Sequence, residues 1–220
     1  MKALCVSDKI DPLVYSDLIK ERFADIDIVL AAGDLPLEYL EFIVSSLNKP
    51  LVFVFGNHHL KQYYYYKNAN PFDGLAVMKR SVPGLGTVYA GGKVIKENGV
   101  LIAGLGGSMR YNTGRNQFTN FEMSLRIIGL IPRLLFNRLI YGRALDILLT
   151  HAPPYGIHDQ RDICHRGFRS FLWFMKIFKP KYLIHGHIHL YDLSEARQTV
   201  YHKTTVINVY NHFVIDMEIK

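Results

Sequence analysis

Residues 28–34 read Ile-Val-Leu-Ala-Ala-Gly-Asp, and residues 51–58 read Leu-Val-Phe-Val-Phe-Gly-Asn-His. In both stretches an apolar run of strand length leads into a glycine, which favours a turn, and then into a polar side chain. Between the two stretches, apolar residues recur at helical spacing until Pro50 ends the pattern: Leu37, Leu40, Val44 and Leu47. A strand, a helix and a strand in this order predict parallel strands joined by a right-handed crossover.

Further apolar runs extend this pattern along the chain. Buried strands are predicted at 3–6, 28–31, 51–55, 101–103, 145–149 and 182–184, and a second helix at 168–178. Strands with short Gly- or Asn-bearing turns at 91–92, 98–99 and 211–212 are predicted at 87–95, 100–105, 204–210 and 213–219. Two facing sheets with helices outside accommodate these elements, and we expect one domain over residues 1–220.

Composition limits the class of protein. With 220 residues and 49% hydrophobic content, the chain can bury one substantial core. Cys5 and Cys164 do not make a disulfide framework, and we expect a cytoplasmic protein without a signal peptide or a transmembrane segment. The net charge of +7 indicates an anionic partner, such as a phosphorylated metabolite, nucleic acid or lipid headgroup, or else serves solubility.

Polar motifs follow the predicted strands. Ligands of open α/β sheets bind beyond the carboxyl ends of the strands, so we expect these motifs to converge. Carboxylate, amide and imidazole groups form a donor set that suits Mn²⁺, Fe²⁺ or Zn²⁺ and lacks the thiolates of a structural zinc site. Each motif alone is typical of an ordinary loop, but their joint order favours a metal centre. The motifs are Asp8, Gly33-Asp34, Gly56-Asn57-His58, Thr150-His151 and Gly186-His187-Ile188-His189.

This ordered set resembles the calcineurin-like metallophosphoesterase superfamily, and residues 107–112 and 151–154 are similar to its small bacterial and archaeal members. The resemblance implies a four-layer α/β/β/α sandwich, with two mixed β-sheets flanked by helices. It also implies a hydrolase that cleaves a phosphomonoester or a phosphodiester by attack of a metal-activated hydroxide.

The resemblance further implies two divalent metal ions, Mn, Fe or Zn. Asp34 would bridge them, with Asp8 and His189 completing the first site. His58 would donate a proton to the leaving group or stabilise the transition state. The ligands that would complete the second site are Asn57, His151 and His187.

One departure from the family pattern affects the first site. The family usually has a histidine two residues after the first aspartate, and here that residue is Ile10. Three protein ligands still make an open site, but we expect weak or exchangeable binding there, and Lys9 adds an adjacent positive charge. Asp11 either compensates or caps a helix that begins at Pro12, and the cap is the favoured interpretation.

Other segments are candidates for substrate or surface contacts. Arg110 and His165 are predicted to contact the substrate. Residues Tyr63 to Pro83 form either a lid with an aromatic and basic face or an insertion packed on itself. Residues Ile127 to Tyr141 form either a helix that lies in a membrane interface or a helix whose apolar side packs in the core or in a dimer contact. We expect Pro132 to break or start that helix.

Two alternatives to a small-molecule phosphoesterase stay open at this point. The first is a catalytically weak or inactive protein-binding module on the same fold. The second is a nuclease or a lipid-pyrophosphate hydrolase, which the basic charge favours. The sequence does not specify the oligomeric state.

Overall fold

A computed structural model describes residues 1–68, 86–191 and 196–219. Its first sheet has five strands in the order β13-β1-β2-β3-β4, in which β1 to β4 are parallel and β13 pairs antiparallel with β1. The parallel strands confirm the predicted crossover around Pro50. The five strands are β1 (Lys2–Ser7), β2 (Ile28–Ala31), β3 (Leu51–Phe53), β4 (Thr87–Tyr89) and β13 (Asn211–Asp216).

The second sheet has six strands in the order β11-β12-β10-β9-β6-β5. Its four inner strands are parallel, and β5 and β11 are antiparallel edges. The six strands are β5 (Lys93–Glu97), β6 (Val100–Leu105), β9 (Ile147–Thr150), β10 (Tyr182–His185), β11 (Gln198–Tyr201) and β12 (Thr204–Asn208). A separate short pair joins β7 (Ser108–Met109) and β8 (Gln117–Phe118).

Helices cover the outer face of each sheet, which confirms the four-layer sandwich. An apolar cluster that includes Cys5, Ile102 and Ile184 fills the space between the sheets. A second cluster joins the first sheet to its helices, and a third joins the second sheet to the others. The helices are α1 (Ile19–Arg22), α2 (Leu37–Leu47) and α3 (Tyr63–Asn68) on the first sheet, and α4 (Asn120–Tyr141) and α5 (Arg169–Phe178) on the second.

Two predicted turns differ from the structure. The turn at residues 91–92 does not make a hairpin, because β4 and β5 belong to different sheets and the chain crosses between them there. The turn predicted at residues 211–212 is wrong, since both residues already pair with β1. The bend comes earlier, where the side chain of Asn208 accepts a hydrogen bond from the Tyr210 N–H at 2.9 Å.

Two predictions about prolines are also wrong. Helix α4 runs through Pro132, which lies on the solvent side, where water can bond to the carbonyl that the proline leaves unpaired. Helix α1 begins at Ile19, not at Pro12. The Asp11 carboxylate instead accepts a hydrogen bond from the Leu13 N–H at 2.7 Å and contacts His212, so it stabilises a turn.

The tyrosine-rich segment is only partly described. Tyr63 is buried and donates a hydrogen bond to Asn116 at 2.9 Å, and Tyr66 packs against the core of the first sheet. This end of the segment therefore packs on the body of the protein, and residues 69–83 lie outside the described residues. In the part of the chain that the structure describes, no helix is long and apolar enough to cross a bilayer.

Candidate metal centre

The predicted ligands lie at or just beyond the ends of parallel strands along one edge of the sandwich. Asp8 directly follows β1, His151 directly follows β9, and His187 follows β10 after one intervening residue. Asp8, Asp34 and His187 have positive φ values of 64°, 56° and 67°. These left-handed residues turn the chain sharply after each strand, a conformation that non-glycine residues rarely adopt and that is common at functional sites.

Three donor atoms lie close to one nitrogen, Nε2, of the buried imidazole of His151. Its Nε2 atom lies 3.1 Å from the side-chain oxygen of Asn57 and 3.1 Å from Nδ1 of His187. Oδ2 of Asp34 is 3.3 Å away. Ligands about 2.0–2.2 Å from a metal ion lie roughly 3 Å from one another, so this spacing fits one divalent cation.

Main-chain carbonyls fix the orientation of both imidazoles. Nδ1 of His151 is 2.8 Å from the Ala32 carbonyl, and Nε2 of His187 is 2.8 Å from the Cys164 carbonyl. If each of these nitrogens donates its hydrogen, the lone pairs of the other two nitrogens point toward the same place, as ligation requires. The sequence did not identify these orienting groups, because a carbonyl is present in every residue whatever its side chain.

The electrostatics of the cluster depend on its burial and its carboxylates. Burial favours the neutral form of His151, but the carboxylates of Asp34 and Asp8 outweigh burial and raise its pKa to about 9. Burial, together with the neighbouring His151, lowers the pKa of His187 to about 3. Despite burial, His151 holds the pKa of Asp34 well below its usual range. A cation entering the cluster would therefore displace a proton from His151.

The ligands predicted for the first site are less closely grouped. Oδ2 of Asp8 accepts hydrogen bonds from the His187 N–H at 2.9 Å and from the Ser7 hydroxyl, and burial raises the pKa of Asp8. Nδ1 of His189 lies 2.8 Å from the Tyr191 hydroxyl, and its ring stacks on Tyr210. Neither residue belongs to the three-donor group of Asp34, His151 and His187 in the described part of the chain.

A cavity of about 200 Å³ opens over the cluster. The lining includes both predicted first-site ligands and the exposed His58, whose backbone N–H donates a hydrogen bond to Oδ1 of Asp34 at 2.7 Å. Ile10 is exposed to 42% and is not among the described residues that line the cavity. The lining residues are Asp8, Asp34, His58, His59, Cys164, His165, His187 and His189.

The two predicted substrate contacts differ in position. His165 lines the cavity, with its ring centroid 5.3 Å from that of His187, and it pairs with Asp162 at 3.0 Å. The guanidinium of Arg110 instead pairs with Glu122 at 2.8 Å, and Arg110 is not among the described lining residues. A contact that the sequence did not reveal is made by Tyr111, whose hydroxyl accepts a hydrogen bond from the Asn57 amide at 3.3 Å.

The fold and the donor set define a class of α/β/β/α proteins with a metal-binding group at the ends of their strands. The model of the calcineurin-like phosphoesterase family matches residues 8–191, and the chain belongs to this family. The family uses divalent metals, and membership supports metal-dependent phosphoesterase activity without favouring either alternative.

Two solved structures with TM-scores of 0.60 or more show the same fold. One crystal structure has a TM-score of 0.66 at 12% identity and covers 98% of this chain and 94% of that chain. The crystal structure of TT1561 from Thermus thermophilus has a TM-score of 0.60 at 14% identity, covering 96% and 89%. A novel archaeal phosphodiesterase has a TM-score of 0.42 at 11% identity, covering 99% and 94%. No curated protein gives a significant match.

Proposed function

We propose that this protein is a divalent-metal-dependent phosphoesterase that hydrolyses a phosphomonoester or a phosphodiester. The observation that carries the proposal is the convergence on His151 Nε2 of donor atoms from Asn57, His187 and Asp34, at 3.1 to 3.3 Å. Two imidazoles and a carboxylate approach this closely in a buried place when a proton or a metal cation lies between them. Membership of the family supports the cation.

The ion of the second site would be held by Asp34, Asn57, His151 and His187. A divalent cation bound there supplies charge neutralisation at the phosphoryl group and lowers the pKa of water. Mn²⁺ is the first ion to test, because the mixed oxygen and nitrogen donor set suits it. Main-chain groups orient three of these ligands before a cation binds. The His58 N–H contacts Asp34, the Ala32 carbonyl contacts His151, and the Cys164 carbonyl contacts His187.

Asp8 and His189, together with Asp34, would hold the ion of the first site, and they would hold it more weakly. The carboxylate of Asp8 already accepts hydrogen bonds from the His187 N–H and from Ser7. No histidine follows at position 10 to complete the set. We therefore expect this ion to exchange readily, and the ratio of tightly bound metal to protein to be near one.

His58 would act on the leaving group. Its side chain lines the cavity, and its backbone N–H is tied to the Asp34 carboxylate, so the imidazole is held close to the metal ligands. From there it can donate a proton to the departing oxygen, which is the ordinary task of a positioned histidine. His165, on the same cavity, would contact the substrate. Arg110 is left out of the proposal because its guanidinium is paired with Glu122.

Two substitutions separate metal binding from turnover. Mn²⁺ affinity is measured by titration calorimetry, and hydrolysis is measured on p-nitrophenyl phosphate and bis-p-nitrophenyl phosphate. Asp34→Asn should lose both binding and hydrolysis, because it removes a ligand charge. His58→Ala should keep its Mn²⁺ affinity and lose roughly 10²- to 10⁴-fold in kcat, the usual contribution of a general acid.

Matched controls use the same side-chain changes on exposed residues that are not among the described residues lining the cavity. Asp17→Asn and His202→Ala should bind Mn²⁺ and turn over substrate like the wild-type protein, because neither residue lines the cavity. Metal-loaded wild-type protein that hydrolyses neither the monoester nor the diester would contradict the proposal. A His58→Ala variant with wild-type kcat would remove His58 from the mechanism.

A further inference from the structure

The outer surface of helix α4 has a stripe of solvent-exposed apolar side chains. Successive members of this stripe are spaced four and three residues apart, so they lie along one side of the helix. Leu139 is exposed to 82% and Phe121 to 71%. The stripe consists of Phe121, Leu125, Ile128, Pro132, Leu135 and Leu139.

A second apolar stripe on the same helix explains why the first is unusual. Met123, Ile127, Leu130 and Leu134 are buried against the second sheet. Packing of helix α4 therefore requires only this inner side, and the outer stripe lies opposite it. A helix that only covers a sheet ordinarily carries polar residues on its outer side.

Helix α5 extends the exposed apolar surface. It packs beside α4 on the second sheet and exposes Trp173 to 41% and Ile177 to 46%. Phe136 and Ile140 flank the stripe on α4 and are exposed to 48% and 55%. The exposed apolar side chains of α4 alone present an area on the order of 700 Å² to solvent. The largest apolar patch on a typical monomer is smaller, roughly 300–600 Å².

The charges on the two helices have almost a single sign. Their only acidic residue is Glu122, whose carboxylate is held by Arg110 and by the Thr119 N–H at the start of α4. The surface formed by α4 and α5 is therefore apolar and cationic. Arg126 lies over the ring of Phe118. The exposed basic residues of these helices are Arg133, Arg138, Arg169 and Lys176.

We propose that the surface formed by α4 and α5 binds an anionic lipid bilayer, with both helices lying in the headgroup region. The exposed Phe, Leu and Ile side chains would enter the boundary with the acyl chains, and Trp173 has the chemistry of an interfacial anchor. Arg133, Arg138, Arg169 and Lys176 would contact lipid phosphates, each basic residue near the membrane adding to the attraction.

Charge favours a bilayer over a second copy of this chain as the occupant. Pairing two identical surfaces would bring the arginines of both copies together, and the single carboxylate, Glu122, is already engaged. An anionic bilayer offers the opposite charge along the whole surface. The proposal does not depend on hydrolysis, because none of the residues in this surface lines the metal-site cavity.

Sedimentation of the full chain with vesicles tests the proposal. We expect binding to vesicles made of equal parts phosphatidylcholine and phosphatidylglycerol, little binding to phosphatidylcholine alone, and loss of binding in high salt because salt screens the charges. The double variant F121S/L139S should bind at least roughly tenfold more weakly, as two exposed apolar side chains are lost. R133E/R138E should bind roughly tenfold more weakly or worse.

Controls come from the opposite helical layer. Tyr64→Ser removes an aromatic side chain exposed to 67% on α3, and Lys20→Glu reverses an exposed charge on α1. Both should bind vesicles like the wild-type protein, and so should Asp34→Asn, which separates this test from that of the proposed hydrolysis. All substituted side chains in α4 are exposed, and thermal unfolding checks that each variant is folded.

Three results would overturn the proposal. The first is an absence of binding to the anionic vesicles. The second is binding of F121S/L139S as tight as that of the wild-type protein. The third is a dimer in sedimentation velocity that dissociates in F121S/L139S, which would show that a second copy of the chain occupies this surface.

Discussion

Replacing Gly56 with alanine should disable the metal site through a single added methyl group. A Cβ at this position would lie 2.0 Å from Oδ1 of Asp34 and 2.6 Å from Cε1 of His151. Ordinary contact begins at 3.4 Å, so the Asp34 oxygen would have to move by roughly 1.4 Å or the strand end would have to shift.

The size of the effect follows from the contacts that such a shift breaks. Oδ1 of Asp34 accepts the His58 N–H at 2.7 Å, and Oδ2 lies 3.3 Å from His151. Metal-ligand distances vary by only about 0.2 Å in working sites, so the displaced carboxylate is lost as a ligand. We expect Mn²⁺ affinity to fall roughly 100-fold or more, and the free energy of unfolding of the metal-free protein to fall by about 1–3 kcal/mol.

The matched control is the same substitution in helix α4. Gly129→Ala places its Cβ where, apart from its chain neighbours and the backbone of its own helix, no heavy atom of the described chain lies within 4 Å. Alanine is favoured over glycine inside a helix, so this variant should gain about 0.5–1 kcal/mol of stability and keep its Mn²⁺ affinity. Titration calorimetry and urea unfolding measure both quantities. If Gly56→Ala binds Mn²⁺ as tightly as the wild-type protein, then close approach of Gly56 to Asp34 does not shape the site.

Three further predictions concern other parts of the chain. Ile10→His restores the histidine of the family pattern, so the Mn²⁺ content after gel filtration should rise from near one to near two ions per chain. An unchanged ratio of Mn²⁺ to protein would show that position 10 does not limit binding at the first site. Thr119→Ala removes the hydroxyl that accepts the Glu122 N–H at 3.2 Å, and urea unfolding should show a loss of about 1 kcal/mol; a loss near zero would mean that the cap does not stabilise α4. Burial, with His158 nearby, lowers the pKa of His185 to about 3. Since a histidine in the unfolded chain titrates near 6.5, the unfolded chain binds more protons than the folded chain between these two pH values. This histidine should therefore make the metal-free protein less stable as pH falls from about 6.5 toward 3, by about 1 kcal/mol per pH unit. His185→Gln should lack that part of the slope, and identical slopes in urea unfolding at several pH values would refute the assignment.

Local periodicity predicted most of the fold. The helical spacing before Pro50 became α2, and the pattern before Pro180 became α5, because an apolar stripe that must face a sheet leaves a regular trace in the sequence. The helix through Pro132 was not predicted. Proline disfavours a helix locally, but the buried residues of α4 hold it together on both sides of position 132.

The candidate site was predicted in part. The strand-end motifs named the polar residues that meet at one edge, and the order of these motifs indicated the family. The contacts of Arg110 were not predictable, because a surface arginine can pair with any nearby carboxylate and the pairing with Glu122 requires β7, β8 and α4 to be in place. The carbonyls that orient His151 and His187 were equally hidden, since no side chain marks them.

The sequence by itself determined the element order, the fold family and the types of donor group at the strand ends, because each of these depends on neighbouring residues or on local spacing. Only the tertiary structure decided which donors share one point. Asn57, His151 and His187 lie far apart along the chain, and their atoms come within 3.1 Å because parallel strands from two sheets end at the same edge. The position of Ile10 was also decided by the tertiary structure: it follows Asp8 by only two residues, but its side chain is 42% exposed and is not among the described residues that line the cavity.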